Sequence, residues 1–147
     1  MVEGKWLPPG ADIAPALSLR REVLSLGRDA QDDFAFQALA LCRGRAVGTG
    51  RIWWQEGDFY IGRLCVLPTA RGQGYGDFLL RLLLLKAQQH HARRVLLLAP
   101  EGAAPFFQKY GFVPQGEPAG EGLLHTLCMA VFCRASPPCR GEGPAVP

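Results

Sequence analysis

Three glycines and an arginine fall within six residues at Arg71-Gly72-Gln73-Gly74-Tyr75-Gly76, between the strand-like run "FYIGRLCVLP" and the leucine-rich run "DFLLRLLLLKA". A strand that stops, a glycine loop and then a helix aim several backbone N–H groups and the positive helix end at one point, with no Cβ atoms in the way. Such a point suits an anion, and Arg71 can add a charge-assisted bond. The plainer alternative is that Gly72, Gly74 and Gly76 only let the chain turn into the helix. Two common phosphate loops are excluded by their spacing. A P-loop needs Gly-Lys-Ser/Thr at the helix start, where this chain has Gly-Tyr-Gly-Asp. A dinucleotide fingerprint needs Gly-x-Gly-x-x-Gly after the first strand of a parallel unit; here the third glycine comes one position early and three strands precede it.

The elements that must position this loop can be read from hydropathy and turn chemistry. "KWLPPGAD" offers a short strand, a turn and Asp12 as a helix cap, and "IAPALSLRREVLSLG" has helical spacing of Leu17, Val23, Leu24 and Leu26 with Gly27 as a stop. After a polar link, "RDAQDD", come three extended runs, "FAFQALALCRG", "RAVGTGRIWWQ" and "DFYIGRLCVLP", joined by glycine-bearing turns as in an antiparallel meander; the third ends at Pro68. Tyr75 to about His91 is predicted to be the longest helix, with an apolar stripe of Phe78, Leu79, Leu82, Leu83 and Leu85. "RRVLLLAP" reads as a strand covered on both faces, reached by a right-handed parallel crossover. A short helix "GAAPFFQKY", the strand "FVPQ", a loop "GEPAGEG" and the strand "LLHTLCMAVFC" complete the order. The expectation is a mixed α/β (α+β) fold, not an alternating doubly wound one.

Composition sets the outer limits. The chain has 147 residues, 48% apolar and 20% charged, which suits one compact domain; residues 1–134 are assigned to it and 135–147, rich in proline and glycine, to a disordered tail. A net charge of +3 with scattered arginines does not point to nucleic acid, and no apolar run is long enough to span a bilayer. The five cysteines form no Cys-x-x-Cys pair, so they are read as reduced thiols in a cytoplasmic protein without a metal.

Val66, Pro68, Arg71, Gly74 and Gly76 resemble the acyl-CoA motif of the GCN5-related N-acetyltransferase (GNAT) superfamily, and Phe107, Gly111 and Phe112 its aromatic-x-x-x-Gly-Phe segment. The element order is also similar, up to about Cys133, and "IGRLCV" and "GLLHTLCM" resemble the ElaA-like subgroup. The resemblance implies a central sheet of about seven, mostly antiparallel strands flanked by helices. It implies acetyl-CoA as cosubstrate, with the pantetheine arm on Leu64, Cys65 and Val66, the pyrophosphate on Arg71, Gly72, Gln73, Gly74, Tyr75 and Gly76, and Phe107 bordering the cofactor. A parallel strand pair splaying apart beyond Val66 would leave room for the thioester.

Acyl transfer to an amine needs a neutral amine, a stabilised oxyanion and a proton for the departing thiolate. Where many members of the superfamily carry a tyrosine this chain has Phe107, and where many carry a glutamate on the motif strand it has Gly62. The catalytic candidates left are His125, Glu101 and Tyr110. Each has a bland counterpart: a hydrogen-bonded packing histidine, a helix-start carboxylate, and a ring packed on Phe112. Trp53-Trp54 could wall an acceptor pocket, although one of two adjacent strand residues faces the core in any case. The function implied is N-acetyl transfer to an amine of a small molecule or peptide, by a monomer or homodimer; the alternative is an acyl-CoA-binding module without turnover.

Overall fold

The structure is a computed structural model that describes residues 2–100, 102–116 and 122–129. Seven strands and three α-helices lie among the described residues: β1 (Val2–Leu7), α1 (Ala14–Leu24), β2 (Phe36–Cys42), β3 (Arg45–Gln55), β4 (Asp58–Val66), α2 (Tyr75–Gln89), β5 (Arg94–Ala99), α3 (Ala104–Gln108), β6 (Val113–Pro114) and β7 (Leu123–Cys128). The strands form one mixed sheet in the order β1-β2-β3-β4-β5-β7-β6, so β7 enters between β5 and β6. Contacts divide the chain into two compact units, Met1–Trp54 with Ile61–Ala87, and Gln55–Tyr60 with Gln88–Pro147.

In the first unit, β1, β2 and β3 are the expected antiparallel meander, with Cys42 opposite Arg45 and a two-residue turn at Arg43-Gly44. Both turn residues have positive φ, 53° and 78°, the combination that matches the right-handed twist of the flanking strands. The meander carries a strip of small residues in register: Gly4 opposite Ala40, Ala40 opposite Gly48, and Ala38 opposite Gly50. α2 lies along this strip. A Cβ at Gly48 would come within 2.9 Å of Leu79 Cδ1, one at Gly50 within 2.9 Å of Leu83 Cδ1, and one at Gly4 within 2.8 Å of Leu82 Cδ1. The missing side chains let the helix sit close to the backbone of the sheet, with Leu79, Leu80, Leu83 and Leu84 fully buried. Gly50→Val is expected to lower stability by about 1–3 kcal/mol through overpacking, seen as a lower urea midpoint at unchanged slope.

Three details depart from the sequence reading. α1 ends at Leu24, not at Gly27, because Ser25 takes the left-handed conformation (φ 58°) and the Leu26 N–H bonds the Arg20 carbonyl at 3.4 Å. The α2 stripe is Leu79, Leu80, Leu83, Leu84 and Ala87, while Leu85 is exposed and Leu82 half-buried, so the buried face is rotated from the one expected. Asp12 accepts the Ala14 N–H at 3.0 Å but stands one residue before the N-cap, which is Ile13 and not the Asp12 expected.

The second unit holds the start of β4, then β5, α3, β6 and β7. Phe59 and Tyr60 pair in parallel with Val95 and Leu96, and β7 runs antiparallel to β5 along its whole length, with Leu97 opposite His125. Val95, Leu96, Leu97, Ala99, Phe107, Phe112 and Leu127 are buried, but Leu98 is exposed, so β5 is covered less completely than its apolar run predicts. Gly122 leads into β7 at φ 155°, so close that a Cβ there would overlap the Ala99 carbonyl. The tail 135–147, Cys133, Cys139 and most of the loop "GEPAGEG" lie outside the described residues.

Candidate functional site

The candidate residues occur in both units. In the first, β4 delivers the chain to the glycine loop through a tight exit: the Leu67 N–H bonds the Val47 carbonyl at 2.8 Å, and Pro68–Ala70 make one turn of 3-10 helix, closed by the Ala70 and Arg71 N–H groups on Leu67 and Pro68. The strand therefore stops at Val66, two residues before the proline that marked its end in the sequence. Arg71 folds back so that its Nε donates to the Val66 carbonyl at 3.1 Å, while the residue as a whole stays exposed. Gly72 and Gly74 have φ of 80° and 87°, and a Cβ at either would meet nothing within 4 Å. They are thus required by backbone conformation, and the space beside them is open.

Gly74 immediately precedes α2, its carbonyl taking the Phe78 N–H at 3.0 Å. The Tyr75 and Gly76 N–H groups lie in the first turn, where a helix has no acceptor to offer, and the positive end of a 15-residue helix adds to them. Open space, first-turn donors and an exposed arginine make a cradle that fits a pyrophosphate. Tyr75 itself turns inward: its side chain is buried and hydrogen-bonded to the Cys42 side chain, which pushes the phenol pKa up. Leu64 and Val66 point to the side of the sheet that α2 covers, towards Gly50 and Gly48.

Gly62, by contrast, points to the opposite side, where a Cβ would lie 3.4 Å from Trp53 and 4.0 Å from Arg51 Nε. Gly62 and Leu64 are two residues apart yet face opposite ways because Arg63 between them has φ 53°, a bulge that reverses the alternation of β4. On the Gly62 side, Trp53 is half-buried beneath the Arg51 guanidinium, 4.8 Å from ring centre to Cζ, while Trp54 is exposed. Only Trp53 of the tryptophan pair therefore belongs to an interior cluster.

That cluster is the main feature the sequence reading missed. Arg20, with no exposed surface, donates through Nη1 and Nη2 to both Asp32 oxygens at 2.8 and 2.7 Å, and through Nη2 to Gln37 Oε1 at 2.6 Å. Arg51 Nη1 reaches Asp32 at 3.0 Å and Asp29 at 2.6 Å, and Arg63 reaches Asp29 at 3.1 Å. Burial pulls the Asp32 pKa up, but the bonds and charges of Arg20, the Asp29 N–H and Arg51 outweigh it and hold the carboxyl well below 3.8. Asp29 shows the same competition with the same outcome. The signals were present: Asp29-x-x-Asp32 has the spacing of a reciprocal cap, with the Asp29 N–H on Asp32 Oδ2 at 2.9 Å, and Arg20 lies one turn after the buried Ala16.

Cys65, in β4, is buried, and burial pushes its thiol up to about 11, so it is a packing residue and no nucleophile. In native protein at neutral pH a thiol reagent is expected to label the exposed Cys128 quickly and Cys65 only after unfolding, as mapped by peptide mass analysis.

In the second unit His125 is wholly buried, and its Nδ1 lies 3.0 Å from the Leu123 carbonyl. A carbonyl can only accept, so Nδ1 carries a proton; Nε2 is buried without a partner among the described residues. Phe107, on α3, is buried edge-on between Phe106 and Phe112 at 5.1 and 6.0 Å. Tyr110 meets Phe106 at 5.9 Å, whereas Phe112 takes Phe107 as its ring partner. Glu101 lies outside the described residues. Among the described residues there is no group of three His, Cys, Asp or Glu side chains able to hold a metal, and no helix long and apolar enough to cross a membrane.

The meander, the parallel β4–β5 pairing and a glycine cradle opening α2 are the parts of an acyl-CoA N-acyltransferase fold. The family described as "Acetyltransferase (GNAT) domain" matches residues 33–114, more than half of the chain, and the chain belongs to that family. It is 32% identical over 87 residues to the uncharacterized N-acetyltransferase YjcF of Bacillus subtilis, an alignment covering 58% of this chain and 62% of that one. Its fold is similar to that of Escherichia coli ElaA (TM-score 0.76, 22% identity, 86% of this chain and 99% of the other). It is also similar to an acyl-CoA N-acyltransferase from Pseudomonas aeruginosa (TM-score 0.77, 22% identity, 87% and 100%).

Proposed function

We propose that the protein transfers an acetyl group from acetyl-CoA to an amine by direct transfer within a ternary complex. The observation that carries this reading is the cradle at Arg71–Gly76: two positive-φ glycines with open space beside them, an exposed arginine and the donors of the first turn of α2. Family membership and the fold shared with an acyl-CoA N-acyltransferase support a CoA thioester as the donor. Bound there, the thioester supplies the activated acyl group.

The chain's own part is to hold the pyrophosphate on Arg71, Gly72, Gln73, Gly74, Tyr75 and Gly76, and the pantetheine arm along Leu64, Cys65 and Val66, so that the acyl carbon has one position. Proximity of that kind can supply several kcal/mol of a barrier. The amine proton needs an acceptor, and His125, whose Nε2 has no partner among the described residues, is the candidate for that role. Tyr110 is the candidate donor to the leaving sulfur, and Glu101 the second carboxyl candidate. The thiols of Cys42, Cys65 and Cys128, none of them in a disulfide, suit a reducing, cytoplasmic setting.

Titration calorimetry with acetyl-CoA tests the first half: a folded protein that shows no binding at high micromolar concentration overturns it. A second reading, a CoA-binding module without turnover, is favoured by Gly62 and by the burial of Phe107, which put no ionisable group where the family commonly has two. Release of free CoA thiol in the presence of amines, peptides or polyamines separates them, since a module binds without acceptor-dependent release.

A further inference from the structure

The β2–β3 turn is fastened on one side to the glycine loop and on the other to the exit of β4 that leads into it. Just before the turn, the Cys42 side chain is hydrogen-bonded to Tyr75, the fifth residue of the cradle; just after it, the Val47 carbonyl takes the Leu67 N–H at the exit of β4. The turn therefore stands beside the cradle. Its tip reads Arg43-Gly44-Arg45, all three residues exposed, and neither arginine has an ion-pair partner among the described residues. Arg43 also occupies a left-handed position, φ 53°, in a two-residue turn whose first place favours asparagine, aspartate or glycine. The sequence thus keeps a poor turn former where a cation stands next to a phosphate-binding loop.

We infer that Arg43 and Arg45 form a second anion subsite that binds the ribose phosphate at the adenosine end of CoA, beside the pyrophosphate on Arg71–Gly76. CoA carries three phosphates, and the cradle accounts for the two of the pyrophosphate. The third is a monoester dianion close to the adenosine ribose. It suits long, exposed guanidinium groups, which give charge-assisted bonds without having to be buried. The inference rests on the acetyl-CoA reading of the loop and adds to it what distinguishes CoA from its dephosphorylated form.

The experiment compares acetyl-CoA with its 3′-dephospho analogue by titration calorimetry, on the natural chain and on a variant carrying Arg43→Asn and Arg45→Gln. Asparagine fits the left-handed place, so the melting temperature of the variant is expected to be equal or higher. The natural chain is expected to prefer acetyl-CoA by about tenfold, a preference the variant loses while binding the dephospho analogue as before. A natural chain that binds both cofactors equally, or a variant that keeps the preference, overturns the inference and leaves the cradle in place. A natural chain that binds neither overturns the acetyl-CoA reading itself.

Discussion

Asp32→Ala is expected to lower the unfolding free energy by about 3–5 kcal/mol, because it strands the Arg20 guanidinium in the interior with only Gln37 for company. For a domain whose whole stability is of the order of 5–15 kcal/mol, that is a loss visible in any urea titration. A loss under about 1 kcal/mol would mean that water reaches Arg20 and that the cluster is not the closed network its geometry describes. pH adds an independent check. The Asp32 and Asp29 carboxyls are held below 3.8 in the folded state, so their contribution is fully present above that value and is lost as pH falls below it. The gap in stability between the natural chain and Asp32→Ala should therefore shrink on acidification below about pH 4, and a gap independent of pH would show that the charge of Asp32 is not what is lost.

Gly74→Glu is expected to weaken acetyl-CoA by about a hundredfold or more, roughly 2.7 kcal/mol, since it puts a carboxylate where the pyrophosphate would lie. The substitution separates binding from folding better than most. A Cβ at Gly74 meets nothing within 4 Å, so the fold bears only the strain of φ 87° in a residue with a side chain, about 1–2 kcal/mol. Arg71→Ala should act in the same direction with a smaller effect, about tenfold, since one guanidinium is removed and no repulsive charge is added. Unchanged affinity in Gly74→Glu, with a circular dichroism spectrum like that of the natural chain, would place the pyrophosphate elsewhere.

The meander, the parallel crossover and the loop before α2 were legible because each rests on local signals: two-residue turns with glycine, an unbroken apolar strand, and glycines that a left-handed backbone requires. The charge cluster was not, since Arg20, Asp32, Gln37 and Arg51 come from four separate elements, and the polar composition of "RDAQDD" reads as an exposed link. Pairing is a tertiary property, and only the register of Gln37 opposite Arg51 brings those groups to one face. The bulge at Arg63 escaped for the opposite reason. It is local, but arginine carries no preference for a left-handed backbone, so nothing in the residue type announces that Gly62 and Leu64 look opposite ways. For the site itself, the sequence marked the loop by its glycines, while the proton on His125 Nδ1 follows from a carbonyl two residues away and is invisible to residue type.

The glycine strip under α2 bears on how variation in this chain should be interpreted. Gly4, Gly48 and Gly50 touch no ligand in the proposed reading, yet they set the height at which α2, and hence the cradle at its first turn, stands above the strands. In a saturating survey scored by activity, bulky substitutions at these three positions would lower function by displacing the helix and would be mistaken for changes to binding residues. Gly72 and Gly74 face open space, yet their positive φ strains any residue with a side chain, so losses there would come from the backbone and not from packing. Intolerance in this protein therefore marks the support of the cradle as well as the cradle itself.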